Sequence, residues 1–164
     1  MAPASPDKDA VVAAIVASLT AELDAVERVA AMARDEVASD ETRQEGKYDT
    51  RATEASYLAR GQAWRVAALR RLKAWFEVFS ERDLGDGPGA VIGIGSLVRV
   101  AGHRQIWLFL APTGGPSVDV GGVRVQVISP DSPLGGALTD LEVDDAFEID
   151  SPRGVVEYEV LEVS

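Results

Sequence analysis

Two periodicities divide the chain. Between Ser5 and Ser80 apolar side chains recur every three or four residues with almost no breakers. Between Ala90 and Val163 they alternate with polar ones, punctuated by glycine and proline. A repeat near 3.6 buries a stripe of a helix, and a repeat of two buries one face of a strand. A chain that changes period once, near its midpoint, is expected to fold as helices first and sheet second. The expected class is therefore α+β, an N-terminal antiparallel coiled-coil hairpin followed by a small antiparallel β domain. The expected boundaries are 1–84 for the hairpin, with its tip at about 39–49, 85–89 for a linker, and 90–164 for the second domain.

The first helix is expected to begin at Ser5-Pro6, a cap residue followed by proline at the first helical position. Its stripe is Val12, Ile15, Leu19, Leu23, Val26, Ala30, Ala33 and Val37, and Glu22, Glu27, Arg34 and Asp35 are assigned to the opposite face. The polar run Ser39–Gly46 reads as the connecting loop. The second helix is expected from about Asp49 to Ser80, with the stripe Ala55, Leu58, Gln62, Val66, Leu69, Leu72, Phe76 and Phe79. Small and polar residues near the turn give way to aromatics at the far end, so Trp75, Phe76 and Phe79 are expected to anchor the base against the second domain. A helix of about 30 residues is roughly 45 Å long, which sets the tip far from the globular part.

Charge adds a direction. The chain carries 16 Lys/Arg against 27 Asp/Glu, a net charge of −11. Residues 86–164 hold only 4 Arg against 12 Asp/Glu, so phosphate backbone is repelled there and sequence-specific DNA binding is excluded from the expectations. The second helix is the exception. From Thr50 to Phe76 it carries Arg51, Arg60, Arg65, Arg70, Arg71 and Lys73 against Glu54 alone. Such a face could meet nucleic acid or an acidic protein wall. It could equally pair with Glu22, Asp24, Glu27 and Asp35 across the hairpin, an arrangement worth little energy on a solvated surface.

In the second half, strands are expected at Ser96–Ala101, Gln105–Ala111, Val123–Ile128, Ala146–Asp150 and Val155–Val163, with one or two helical turns at Pro133–Leu138. No catalytic constellation appears. Cysteine is absent and His103 is the single histidine, which removes thiolate and multi-histidine metal sites together. Gly93-Ile-Gly95 lacks the third glycine of a dinucleotide loop, and Asp140, Glu142, Asp144 and Asp145 lack the spacing of a calcium loop. No apolar run approaches a membrane span, and with no secretory signal the expected location is cytoplasmic.

The run Ser132-Pro-Leu-Gly-Gly-Ala-Leu138, then Leu141-Glu-Val-Asp-Asp145, Phe147-Glu-Ile149 and Val156-Glu-Tyr-Glu-Val-Leu-Glu-Val163, resembles the end of the GreA/GreB transcription elongation factors. Glu54-Ala-Ser-Tyr57 with Arg60 and Gln62 is similar to the family's segment after the coiled-coil tip. The resemblance implies a coiled coil followed by an FKBP-like domain and no enzymatic activity of its own. It implies docking at the rim of the RNA polymerase secondary channel, with Ser132, Pro133, Leu134 and Gly135 as the docking turn. The hairpin would enter the channel, its basic face (Arg51, Arg60, Arg65, Arg70) near the RNA 3′ end. Tip carboxylates Asp40, Glu41, Glu45 and Asp49 would lie near the catalytic Mg²⁺, with Asp49 and Glu45 as ligands held jointly with the polymerase. No cofactor of its own is implied. The family places an Asp and a Glu three residues apart at the tip, where this chain has Asp49 and Ala52, with Glu54 two residues further on. The expected action is therefore either stimulated transcript cleavage or obstruction of the channel. A second expectation keeps the fold without the polymerase, as a homodimeric protein-interaction module. Prolyl isomerase activity is not expected, because few aromatics beyond Ala90 could line a proline pocket.

Overall fold

The computed structural model describes residues 4–41, 50–79 and 89–164. Helix α1 spans Lys8–Glu41 and helix α2 spans Thr50–Val78. The start of α1 lies later than Ser5-Pro6. The Ala10 amide donates to the Asp7 carboxylate at 2.8 Å and the Val11 amide to the Asp7 carbonyl at 2.9 Å, so Asp7 is the cap. Ser5 is used elsewhere: its hydroxyl donates to the Glu162 carboxylate of the last strand.

Six strands follow: β1 (Leu97–Ala101), β2 (Gln105–Leu110), β3 (Ser117–Val120), β4 (Val123–Ile128), β5 (Ala146–Ser151) and β6 (Gly154–Val163), with α3 at Pro133–Leu138 between β4 and β5. Five match the expected strands to within a residue or so, and β3 is additional. They form one sheet in the order β3-β4-β2-β1-β6-β5. The sheet is mixed, not purely antiparallel, because β2 and β4 run parallel, with Trp107 opposite Val125. The cause is β3. The chain leaves β2, turns back as β3 on the outer edge, and reverses again to lay β4 into the gap. The expected 85–89 linker lies outside the described residues, apart from Gly89.

Both faces of the sheet are covered, which is why β2 is buried continuously from Trp107 to Leu110. On one face Leu97, Trp107, Phe109, Val125 and Val127 meet Val11, Ile15, Leu19, Leu72 and Phe76 from the two helices. Phe76 and Phe109 lie 5.3 Å apart between ring centroids, and Phe79 and Phe109 5.7 Å. Aromatics near the end of α2 therefore anchor the hairpin on the domain, as their position in the sequence suggests. On the other face Val98, Val100, Leu108, Leu110 and Val160 meet Ile92 and Leu138. Phe147 and Tyr158 stack there at 5.3 Å, and Tyr158 lies so close to the β1–β2 turn that a Cβ at Gly102 would sit 2.6 Å from its ring.

Candidate functional site

The hairpin changes character along its length. On α1 the buried positions end at Leu23, and the described side chains from Ala31 onward are exposed. On α2 the buried positions are Leu72 and Phe76, while Tyr57, Leu58 and Trp64 are 67%, 68% and 74% exposed. Leu58 belongs to the expected stripe and is nevertheless exposed. From residue 24 onward α1 extends about 27 Å at 1.5 Å per residue, and none of its described side chains there joins the core. The free end is a thin helix pair standing clear of the sheet.

Charge is arranged on that pair in two layers. Arg65 bonds Glu22 and Arg70 bonds Glu27, both across the hairpin. Glu22 therefore lies beside the seam and not on the opposite face of α1, because seven residues separate it from Ile15 and return it to the same side. Arg65 and Arg70, expected to face RNA, are partly engaged in these exposed pairs, each worth at most about 1 kcal/mol. Arg60 lies with its guanidinium 6.0 Å from the Tyr57 ring. Tyr57, Arg60, Trp64 and Arg71 are spaced three, four and seven apart, which places them on one side of α2, away from Leu69, Leu72 and Phe76. This aromatic and basic face was hidden at the sequence level by attention to charge alone. The signal that reveals it is a tryptophan recurring in phase with arginines and out of phase with the buried stripe.

The tip carboxylates stand differently. Asp40 and Glu41 end the backbone of α1, and Arg51 lies in the first turn of α2. Their side chains, and Glu45 and Asp49 altogether, lie outside the described residues. Among the described residues no group of three or more potential ligands gathers to hold a metal.

The turn Ser132–Gly135 is built from within. Ser132 caps α3, accepting from the Gly135 amide at 3.1 Å and donating to the Ser129 carbonyl at 2.7 Å. Pro133 takes the first helical position and Leu134 packs against the second core. Gly135 is enforced by a close approach, since a Cβ there would lie 2.7 Å from the Ser129 carbonyl carbon. The Ser132 hydroxyl is thus occupied internally and Gly135 is buried, leaving Pro133 as the fully exposed member. Arg65 and Ser132 nevertheless come together. Both line a groove of about 500 Å³ between the hairpin and the sheet, together with Gly115 and Val127. Within the acidic run the Asp145 carboxylate accepts from the Glu142 amide at 2.8 Å, as a turn residue does. His103 is exposed in the β1–β2 turn.

Residues 119–164, which contain this turn and the three strand segments around it, match the family model described as transcription elongation factor, GreA/GreB, C-terminal. The likeness to GreA/GreB factors rests on this C-terminal segment. Solved structures similar to the whole chain include Gfh1 of Thermus aquaticus, 21% identical over 92% of this chain and 94% of that one, with a TM-score of 0.40. Gfh1 of Thermus thermophilus, a GreA factor homolog, is 19% identical over 92% and 95%, with a TM-score of 0.34. GreA/GreB of Nitrosomonas europaea is 24% identical over 69% and 93%, with a TM-score of 0.36. No curated protein matches at a significant level. Among the described residues, no helix is long and apolar enough to cross a membrane.

Proposed function

We propose that this chain is a regulator of bacterial RNA polymerase that docks its GreA/GreB-type domain at the rim of the secondary channel and inserts the hairpin toward the active-site Mg²⁺. The observation that carries the reading is the pairing of that C-terminal domain with a rod whose outer half has no fully buried side chain among the described residues. A helix pair excluded from its own core is free to occupy a narrow cleft in a larger machine. Tyr57, Arg60, Trp64 and Arg71 then meet the channel wall or the RNA 3′ segment, with Arg51, Arg65 and Arg70 on the flanks. Tryptophan, tyrosine and arginine are the residues that most often dominate binding energy at interfaces.

At the tip, Asp40, Glu41, Glu45 and Asp49 bring negative oxygen donors near the catalytic centre. Carboxylates suit a hard cation, and a shared Mg²⁺ would supply Lewis acidity and an activated water. Asp49 with Glu45 is the pair best placed in sequence to hold it jointly with the polymerase, and all chemistry remains the polymerase's own. Ala52 offers no ligand where the family has a Glu, so we infer that occupation of the channel is the main effect and that any stimulated cleavage rests on Asp49 and Glu45.

The test is retention of purified RNA polymerase on the immobilised chain, followed by transcript cleavage in a stalled elongation complex. Wild type should be retained and should alter cleavage or elongation. The Asp49→Ala, Glu45→Ala double variant should bind equally but lose whatever cleavage it stimulates. Failure to retain polymerase at all would overturn the proposal, and an unchanged cleavage rate in the double variant would remove those two carboxylates from it.

A further inference from the structure

A second concavity, unrelated to the hairpin, lies where β2 and β4 begin, between the β1–β2 turn and the β3–β4 turn. It measures about 470 Å³, a size common for small-molecule sites. Its lining is unusual for the domain that holds it. Residues 86–164 carry four arginines against 12 carboxylates, so each arginine has several potential partners. Arg99 has taken one, bonding Glu162 at 3.0 Å beneath the sheet-covering helices, and Arg153 sits in the β5–β6 turn. The remaining two, Arg104 in the β1–β2 turn and Arg124 near the start of β4, both line this groove. Neither forms an ion pair among the described residues. Asp119 stands directly opposite Arg124 in the β3–β4 register, yet the two are not paired. Gln105, Gln126 and Ser117 add amide and hydroxyl groups, and Ile106 and Val123 supply an apolar wall.

Guanidinium groups bind oxyanions through parallel pairs of N–H donors. Two of them lining one groove, neither held in an ion pair among the described residues, form a receptor for two linked anionic groups. We propose that this groove binds a small dianion, one oxyanion to each arginine, with a phosphorylated metabolite as the ligand class. The inference does not depend on polymerase binding, since it concerns a different part of the domain.

The experiment is a titration of the ¹⁵N-labelled full chain, followed by amide shifts at constant ionic strength. Inorganic pyrophosphate and succinate are the probes, each with two linked anionic groups, and they separate a phosphate from a carboxylate source. Pyrophosphate should shift the amides of residues 104–106 and 122–126 saturably. Arg104→Ala and Arg124→Ala should each weaken binding roughly tenfold, as expected for a lost charge-assisted contact. Arg104→Lys should weaken it less, and Arg153→Ala should leave it unchanged. Saturable shifts with succinate alone would keep the two-arginine site and assign its ligand to dicarboxylates. Absence of saturation with both probes, or equal weakening by Arg153→Ala, would overturn the proposal.

Discussion

The base and the free end of the hairpin are made from the same two helices but stabilised on different terms. At the base, Ile15, Leu19, Leu72 and Phe76 are buried against a sheet that supplies Trp107 and Phe109. At the free end the stripe continues in sequence, through Ala30, Ala33 and Leu58, but the sheet is no longer there to cover it. Helix periodicity alone therefore does not decide burial; a third layer does. At the free end tryptophan, tyrosine and arginine stand exposed instead.

The sharpest way to break this contrast is a pair of truncations. Phe76→Ala should cost about 3–5 kcal/mol, since it removes a buried ring from the contact between helices and sheet. Leu58→Ala, at an equivalent stripe position, should stay within about 0.5 kcal/mol. Chemical denaturation measures both, and similar losses would mean the free end is packed after all. Of comparable size, but outside the hairpin, Gly135→Ala should cost roughly 3 kcal/mol or more, because its Cβ would collide with backbone and not with a movable side chain. A hairpin that owes its base to the sheet should then unfold together with it. Hydrogen exchange grades the same difference residue by residue. Amides of residues 11–23 should be protected close to the global stability, and those of residues 24–36 should exchange through local opening with markedly lower protection. Smallest of all, Glu22→Gln should change stability by at most about 1 kcal/mol, because its bond to Arg65 is solvent-exposed.

Much of this was readable from the chain. The change of period places the helices and the sheet, and the aromatics from Trp75 to Phe79 mark the base. The run Pro133–Leu138, too rich in small residues for a strand, marks α3. Three features were not readable. Four-residue β3 is bracketed by Pro116 and Gly121-Gly122, so its alternation is too short to stand out, and with it went the parallel pair. The Asp7 cap competes with Ser5-Pro6 on equal local terms, and only the tie from Ser5 to Glu162, distant in sequence, decides between them. Gly135 could be recognised as a motif residue but not explained, because the carbonyl that excludes a side chain belongs to the preceding turn. The candidate site divides similarly. The basic character of α2 was evident, whereas the division into ion-paired Arg65 and Arg70 and outward Arg60 and Arg71 depends on the rotation of one helix against the other.

The outermost rung of the sheet carries one more implication. On β5 and β6, Glu148 and Glu157 face each other directly, with Glu159 one step along the same side. Opposed like charges weaken the strand pair that bears them. They also make the exposed border of β5 an unwelcoming template for any incoming strand, which guards against fibrous stacking. Neutralising that border, for example with Glu148→Gln and Glu157→Gln together, should tighten the fold slightly while making concentrated solutions less tractable.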